Sequence, residues 1–191
     1  MGSVHEGTGS GMNVLGIAGW SGAGKTTLLE KLIPLLIQRG LKVSTIKHAH
    51  HAFDVDVPGK DSYRHREAGA SEVLIASAQR FALMHEHRGE AEPGLAELLQ
   101  HLSPVDLVLV EGFNRDTHAK IEIWRQGTGK PLLQPDDPAI IAVACDAEPP
   151  HLTAPRLDLD DTAGIADFIV AWCRSAAASA AQPWRKPKQG A

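Results

Sequence analysis

The feature that most constrains this chain is the run Gly19-Trp20-Ser21-Gly22-Ala23-Gly24-Lys25-Thr26. It meets the pattern G-x-x-x-x-G-K-[ST] in full. Such a loop works only between a buried strand and the start of a helix. There its backbone N–H groups converge on phosphates and the helix N-terminus adds partial positive charge. Both flanks fit. Val14-Leu15-Gly16-Ile17-Ala18 reads as a buried parallel strand. From Lys25 to Arg39, leucines 28, 32, 35 and 36 recur at helical spacing, with Leu29 and Ile33 widening the stripe and Gly40 as a stop. Pro34 is expected to kink this helix or end it early. In this chemistry Lys25 reaches the outer phosphates and the Thr26 hydroxyl serves Mg²⁺.

The rest of the chain repeats the alternation. Strands are expected at Leu41 to Ile46, Val73 to Ala76, Phe81 to Met84, Val105 to Val110 and Ala139 to Ala144. Ile121-Glu122-Ile123-Trp124 alternates as an edge or half-exposed strand would. Helices are expected at Ser62 to Ala68, capped by Asp61 or Ser62, at Gly94 to Leu102, and at Thr162 to Arg174. The fold class is therefore α/β, a predominantly parallel twisted sheet flanked by helices. Residues 12–174 read as one domain. Residues 1–11 read as a flexible leader or tag remnant, and 175–191 as a disordered tail.

A phosphate loop needs an acid at the end of a neighbouring strand. Leu107-Val108-Leu109-Val110 runs into Glu111, at the carboxyl end where ligands of open α/β sheets sit, so Glu111 is the candidate magnesium ligand, directly or through water. The loop after the second strand carries Asp54 and Asp56. Either could position magnesium or an attacking water, or be solvated as loop acids commonly are. Lys25 and Asp56 are thus the candidate catalytic residues. Asp146 follows the strand ending in Cys145. It could accept hydrogen bonds from a guanine N1–H and amino group, although the guanine-reading N-K-x-D is absent.

Lys47 and His48 end the second strand and are followed by His50 and His51. No cysteine or acid joins these histidines at metal-ligand spacing, so they read as lining the site mouth as phosphate or pterin contacts, or as merely exposed. Lys60, Arg64 and Arg66 form a basic patch near the loop, and Arg115 follows the Glu111 strand. These cations could take an anionic ligand or simply be solvated.

The 191 residues carry a formal net charge of -4, with 43% hydrophobic and 22% charged residues. Nothing global in that balance points to nucleic acid or to a membrane surface. Cys145 and Cys173 fall in no metal-ligand spacing and read as reduced thiols of a cytoplasmic protein.

Several segments together resemble the MobB family of molybdopterin-guanine dinucleotide biosynthesis. They are the phosphate loop through Thr27, Ile46-Lys47-His48-Ala49-His50-His51, Asp54-Val55-Asp56, Pro58-Gly59-Lys60-Asp61-Ser62-Tyr63, Ala68-Gly69-Ala70, Leu109-Val110-Glu111-Gly112-Phe113 and Ile141 to Asp146. The resemblance implies a cytoplasmic homodimer that binds GTP with Mg²⁺ and hydrolyses it slowly. It also implies assistance to MobA, the guanylyltransferase that joins GMP to molybdopterin. On this reading Gly19, Ser21, Gly22, Ala23, Gly24, Lys25, Thr26 and Thr27 hold the nucleotide with Asp146. Thr26, Glu111 and Asp56 serve the metal. Lys47, His48, Lys60, Arg64 and Arg115 face molybdopterin or the partner. No catalytic glutamine or arginine finger is evident, which fits slow turnover. Two alternatives stand beside it: an adaptor that presents GTP or molybdopterin without hydrolysis, and a metal-delivery GTPase using His48, His50 and His51.

Overall fold

In the computed structural model, residues 11–49 and 53–178 are described. The chain divides into two units, one formed by Met1–His48 with Leu95–Ala191 and the other by Ala49–Gly94.

The first unit is built on six strands, all paired in parallel: β1 (Asn13–Ala18), β2 (Val43–Lys47), β5 (Leu107–Glu111), β6 (Lys120–Trp124), β7 (Ile140–Cys145) and β8 (Arg156–Asp158). Their spatial order is β2-β5-β1-β6-β7-β8. The apolar runs of β1 and β5 lie in adjacent central positions, Leu15 opposite Leu109, because only strands covered on both faces can bury consecutive apolar residues. Leu15, Ile17, Leu107, Leu109, Ile121 and Ile123 share one core cluster with the apolar stripes of α1 (Lys25–Gln38) and α4 (Thr162–Ala178). Val108, Val110 and Met12 instead pack with Leu95 and Leu99, from the one-turn α3 (Leu95–Leu98) and the 3-10 turn after it. Further along, Trp124, Val143 and Cys145 pack with Leu132.

Since β5 and β6 flank β1, the connection between them must cross β1. Gly16 makes room for it: a β-carbon there would lie 2.6 Å from the His118 Nε2. Both ring nitrogens of His118 are buried without a hydrogen-bond partner, and burial, with Lys120 adding to it, holds its pKa below the ordinary value.

The second unit holds α2 (Asp61–Glu67) and an antiparallel ribbon of β3 (Glu72–Ala76) and β4 (Phe81–His85).

The sequence expectations need five corrections. First, β6 is an internal strand whose five residues are all buried, not an edge. Its alternating charges have buried partners: the Lys120 Nζ meets Asp137 Oδ2 at 3.0 Å, and Glu122 accepts the amides of Leu133 and Gln134 at 2.8 and 2.9 Å. Second, α1 runs through Pro34 to Gln38. Burial of Leu28, Leu29, Leu32 and Leu36 outweighs the one lost hydrogen bond. Third, the helix expected at Gly94 to Leu102 is α3 and a 3-10 turn ending at His101. Fourth, α2 begins after Lys60 with no side-chain cap, because the Ser62 hydroxyl donates to Asp56 at 2.8 Å. Fifth, α4 continues four residues past Arg174 to Ala178. The remaining tail residues 179–191, the leader residues 1–10, and His50 and His51 lie outside the described residues. The three-residue β8, paired with β7, carries too little apolar signal to be read from sequence.

Candidate nucleotide site

Gly19 follows β1 with φ 137°, a conformation that side chains resist, and a β-carbon there would lie 2.6 Å from the Ile123 carbonyl. Glycine thus lets the loop pass close against β6. The chain then turns back through Gly22 and Gly24, also at positive φ, and Ala23 is buried with its amide donating to the Trp20 carbonyl at 3.1 Å. Gly24 caps α1, and the first turn of that helix holds no acid to compete for its amides. The Lys25 Nζ folds over the loop, donating to the carbonyls of Gly19 and Trp20 at 2.9 and 3.0 Å.

Parallel pairing brings the ends of β1, β5 and β2 together, with Lys47 opposite Glu111. As a result the Thr26 hydroxyl lies 3.3 Å from both Glu111 carboxylate oxygens. The Lys47 Nζ lies 3.7 Å from the same carboxylate. Ser21, Gly22, Gly24, Lys25, Thr26, Thr27 and Glu111 line one open cavity of about 410 Å³. The hydroxyl and carboxylate are hard oxygen donors side by side, a set that suits Mg²⁺ and not a soft metal. His48 donates its backbone amide to the Glu111 carbonyl at 2.8 Å, and its ring meets that of Phe113 at 4.8 Å between centroids.

Other expected residues are placed differently. Arg115 lines a second cavity, of about 610 Å³, with Asp116, Lys120 and Asp137 rather than the phosphate cradle. Asp146 accepts the Gln126 amide at 2.9 Å on one oxygen and pairs with Arg125 at 3.6 Å on the other. Asp54, Asp56, Lys60 and Arg64 belong to the second unit. There the partly buried Arg66 guanidinium meets Asp54 at 2.9 Å, Asp56 at 3.4 Å and Glu86 at 2.8 Å. The Asp56 side chain is only 5% exposed and also accepts from Ser62 and the Val57 amide. The Asp56 amide, and then Arg66, hold the Asp54 carboxyl below its ordinary pKa. Lys60 is exposed, and Arg64 pairs with Asp61 at 3.9 Å. Among the described residues no group of histidines, cysteines and acids is arranged to hold a metal ion.

Two residues at the loop went unassigned in the sequence. Arg125 follows β6 and donates from Nε to the Ala23 carbonyl at 3.1 Å. Trp20 is anchored through its indole N–H to the Pro131 carbonyl at 2.8 Å, with the Lys130 Nζ 5.7 Å above its ring. The rule that pointed to Glu111, a charge just past a buried strand, also points to Arg125 once β6 is known to be internal.

The family model described as molybdopterin guanine dinucleotide synthesis protein B matches residues 14–146. The chain is 49% identical to the molybdopterin-guanine dinucleotide biosynthesis adapter protein of Escherichia coli over 162 residues, covering 83% of this chain and 92% of that one. The protein with the same description from Haemophilus influenzae is 45% identical over 159 residues, 83% and 88% of the two chains. Among solved structures, molybdopterin-guanine biosynthesis protein B superposes with a TM-score of 0.66 at 30% identity, over 83% of this chain and 99% of that one.

Proposed function

The chain belongs to the molybdopterin guanine dinucleotide synthesis protein B (MobB) family, and from that premise we propose that it binds GTP with Mg²⁺, hydrolyses it slowly, and assists MobA in attaching GMP to molybdopterin. Family membership ties it to molybdopterin guanine dinucleotide biosynthesis. The nucleotide reading rests on one observation above others: Thr26 and Glu111, 85 residues apart in sequence, meet at 3.3 Å in the mouth of a glycine-built phosphate loop.

The geometry supports a role for each residue. Amides of the loop and of the first turn of α1 bind the phosphate oxygens. Lys25 exchanges the carbonyls of Gly19 and Trp20 for the outer phosphates, a stronger charge-assisted contact. Thr26 would hold Mg²⁺ directly and Glu111 directly or through water; the bound ion would neutralise charge on the outer phosphates. Lys47 balances the Glu111 carboxylate. Asp56 is committed to Arg66 and Ser62, so a part in hydrolysis requires those contacts to open. Lys47 and His48, beside the cradle, and Lys60 and Arg64 on the second unit are proposed to face molybdopterin or MobA. A homodimer is proposed from the exposed apolar residues of the second unit, and a cytoplasmic setting fits the two free buried cysteines.

Calorimetric titration with GTP and with ATP, each with Mg²⁺, tests the reading. The expected result is GTP bound at least tenfold more tightly, about 1.4 kcal/mol, with binding and phosphate release both abolished by Lys25→Ala. Phosphate release unchanged by Lys25→Ala would remove the GTPase from this chain. A GTP analogue blocked between the β and γ phosphates separates timing from presentation. Full guanylation of molybdopterin with that analogue would favour the adaptor suggested by the relatives' description.

A further inference from the structure

We infer that Arg125 is a nucleotide-contacting residue at the nucleoside end of the cradle, and that Asp146 positions Arg125 instead of reading the base. The inference rests on the nucleotide reading above and extends it to the opposite flank of the loop.

β1 lies between β5 and β6. The β5 flank carries Glu111 beside Thr26, so it takes the magnesium end of the phosphate chain. A nucleotide lying along the loop then directs its α-phosphate and nucleoside towards the β6 and β7 flank. Arg125 stands there. Its Nε is fixed on the Ala23 carbonyl at 3.1 Å, and a β-carbon on Gly24 would lie 3.6 Å from both Nε and Nη2. Its Nη1 faces Asp146 Oδ2 at 3.6 Å, and Asp146 is itself held by the Gln126 amide at 2.9 Å. The Arg125 side chain remains 39% exposed, and its Nη2 is hydrogen-bonded to none of the described residues. A guanidinium hydrogen-bonded to a carbonyl and paired with a carboxylate, with one edge against the glycine loop, is pre-organised for a phosphate oxygen. One Asp146 oxygen accepts the Gln126 amide and the other faces the Arg125 guanidinium, an arrangement that suits a positioning role.

The experiment titrates Mg²⁺–GTP, Mg²⁺–GDP and Mg²⁺–ATP into the full chain and into Arg125→Gln, Arg125→Lys, Asp146→Asn and the Arg125→Gln/Asp146→Asn pair. Arg125→Gln should weaken all three nucleotides by tenfold or more and by similar factors, because the contact is neither at the γ-phosphate nor at the base. Arg125→Lys, which keeps the charge and loses the fork, should recover only part of that affinity. Asp146→Asn should weaken GTP and ATP equally, by a smaller factor, and add nothing in the Arg125→Gln background. Unchanged GDP and GTP affinity in Arg125→Gln overturns the inference while leaving the P-loop reading intact. A loss in Asp146→Asn confined to GTP and persisting in the double variant overturns it too, and returns Asp146 to the base. A wild-type chain that binds none of the three removes the parent reading and this inference together.

Discussion

At the scale of single residues, the site is set by where side chains are forbidden as much as by where they act. Gly19 and Gly22 both have positive φ, at 137° and 82°. They differ in their surroundings: a β-carbon on Gly19 would strike the Ile123 backbone at 2.6 Å, whereas one on Gly22 meets nothing within 4 Å. Gly22→Ala should therefore lower stability by only about 1 kcal/mol, the cost of a left-handed alanine. Gly19→Ala should lower it by about 2–4 kcal/mol, since backbone strain is joined by displacement of β6. Urea unfolding measures both, and equal losses for the two variants would contradict the close approach of the loop to β6. Buried charge follows the same logic of local satisfaction. Burial pushes the Glu122 carboxyl pKa up, and the amides of Leu133 and Gln134 partly offset that, so an acid at 0% exposure is accommodated inside the sheet.

At the scale of elements, α1 shows tertiary packing overriding a local rule. Pro34 lies inside the helix, is exposed, and removes one backbone donor, yet four leucines of the same helix are buried in the core. Each fully buried leucine contributes about 1.5–3 kcal/mol, against about 3 kcal/mol for an interior proline. Pro34→Ala should restore the hydrogen bond without disturbing the buried face. It should raise stability by about 1–3 kcal/mol and leave nucleotide affinity unchanged, as read by thermal unfolding and titration. A lowered melting temperature would mean the proline ring itself stabilises the helix. α4 is tied to α1 from outside the core as well. The Arg39 Nε meets Asp167 at 2.6 Å and its Nη2 donates to the Ala163 carbonyl at 3.1 Å, which holds the Asp167 carboxyl below its ordinary pKa.

At the scale of the molecule, the second unit has little interior of its own. Its ribbon pairs Leu74 with Leu83 and Ala76 with Phe81 on one face, and Leu74, Leu83 and Phe81 are 59%, 45% and 72% exposed. A two-stranded ribbon is marginal alone, and an apolar face of this kind is normally covered by another surface. With a second copy as the proposed cover, Leu83→Asp should convert a dimer into a monomer at micromolar concentration while the phosphate loop keeps its nucleotide affinity. Sedimentation equilibrium reads the mass directly. A wild-type chain that sediments as a monomer would remove the homodimer from the proposed function.

The sequence by itself determined the glycine-rich turn between β1 and α1, the buried runs around it and the acid at the end of β5. Those features are local: a glycine pattern, an apolar run and a charge placed directly after it carry their physical meaning within a few residues. It also sufficed to class the fold as a parallel α/β sheet, because β1, α1 and β2 alternate and further apolar runs follow, although β5, β6, β7 and β8 are joined without an α-helix between them. Only the tertiary structure decided that β6 is central, since Lys120 and Glu122 mimic a solvent-facing alternation until Asp137, Leu133 and Gln134 arrive from elsewhere in the chain to satisfy them. The same folding sends Arg115 to a different cavity, commits Asp56 to Arg66 and Ser62, and brings Arg125 against Ala23, 102 residues away in sequence. A residue's type says which contacts it can make, but which partner claims it depends on long-range pairing that no local window contains.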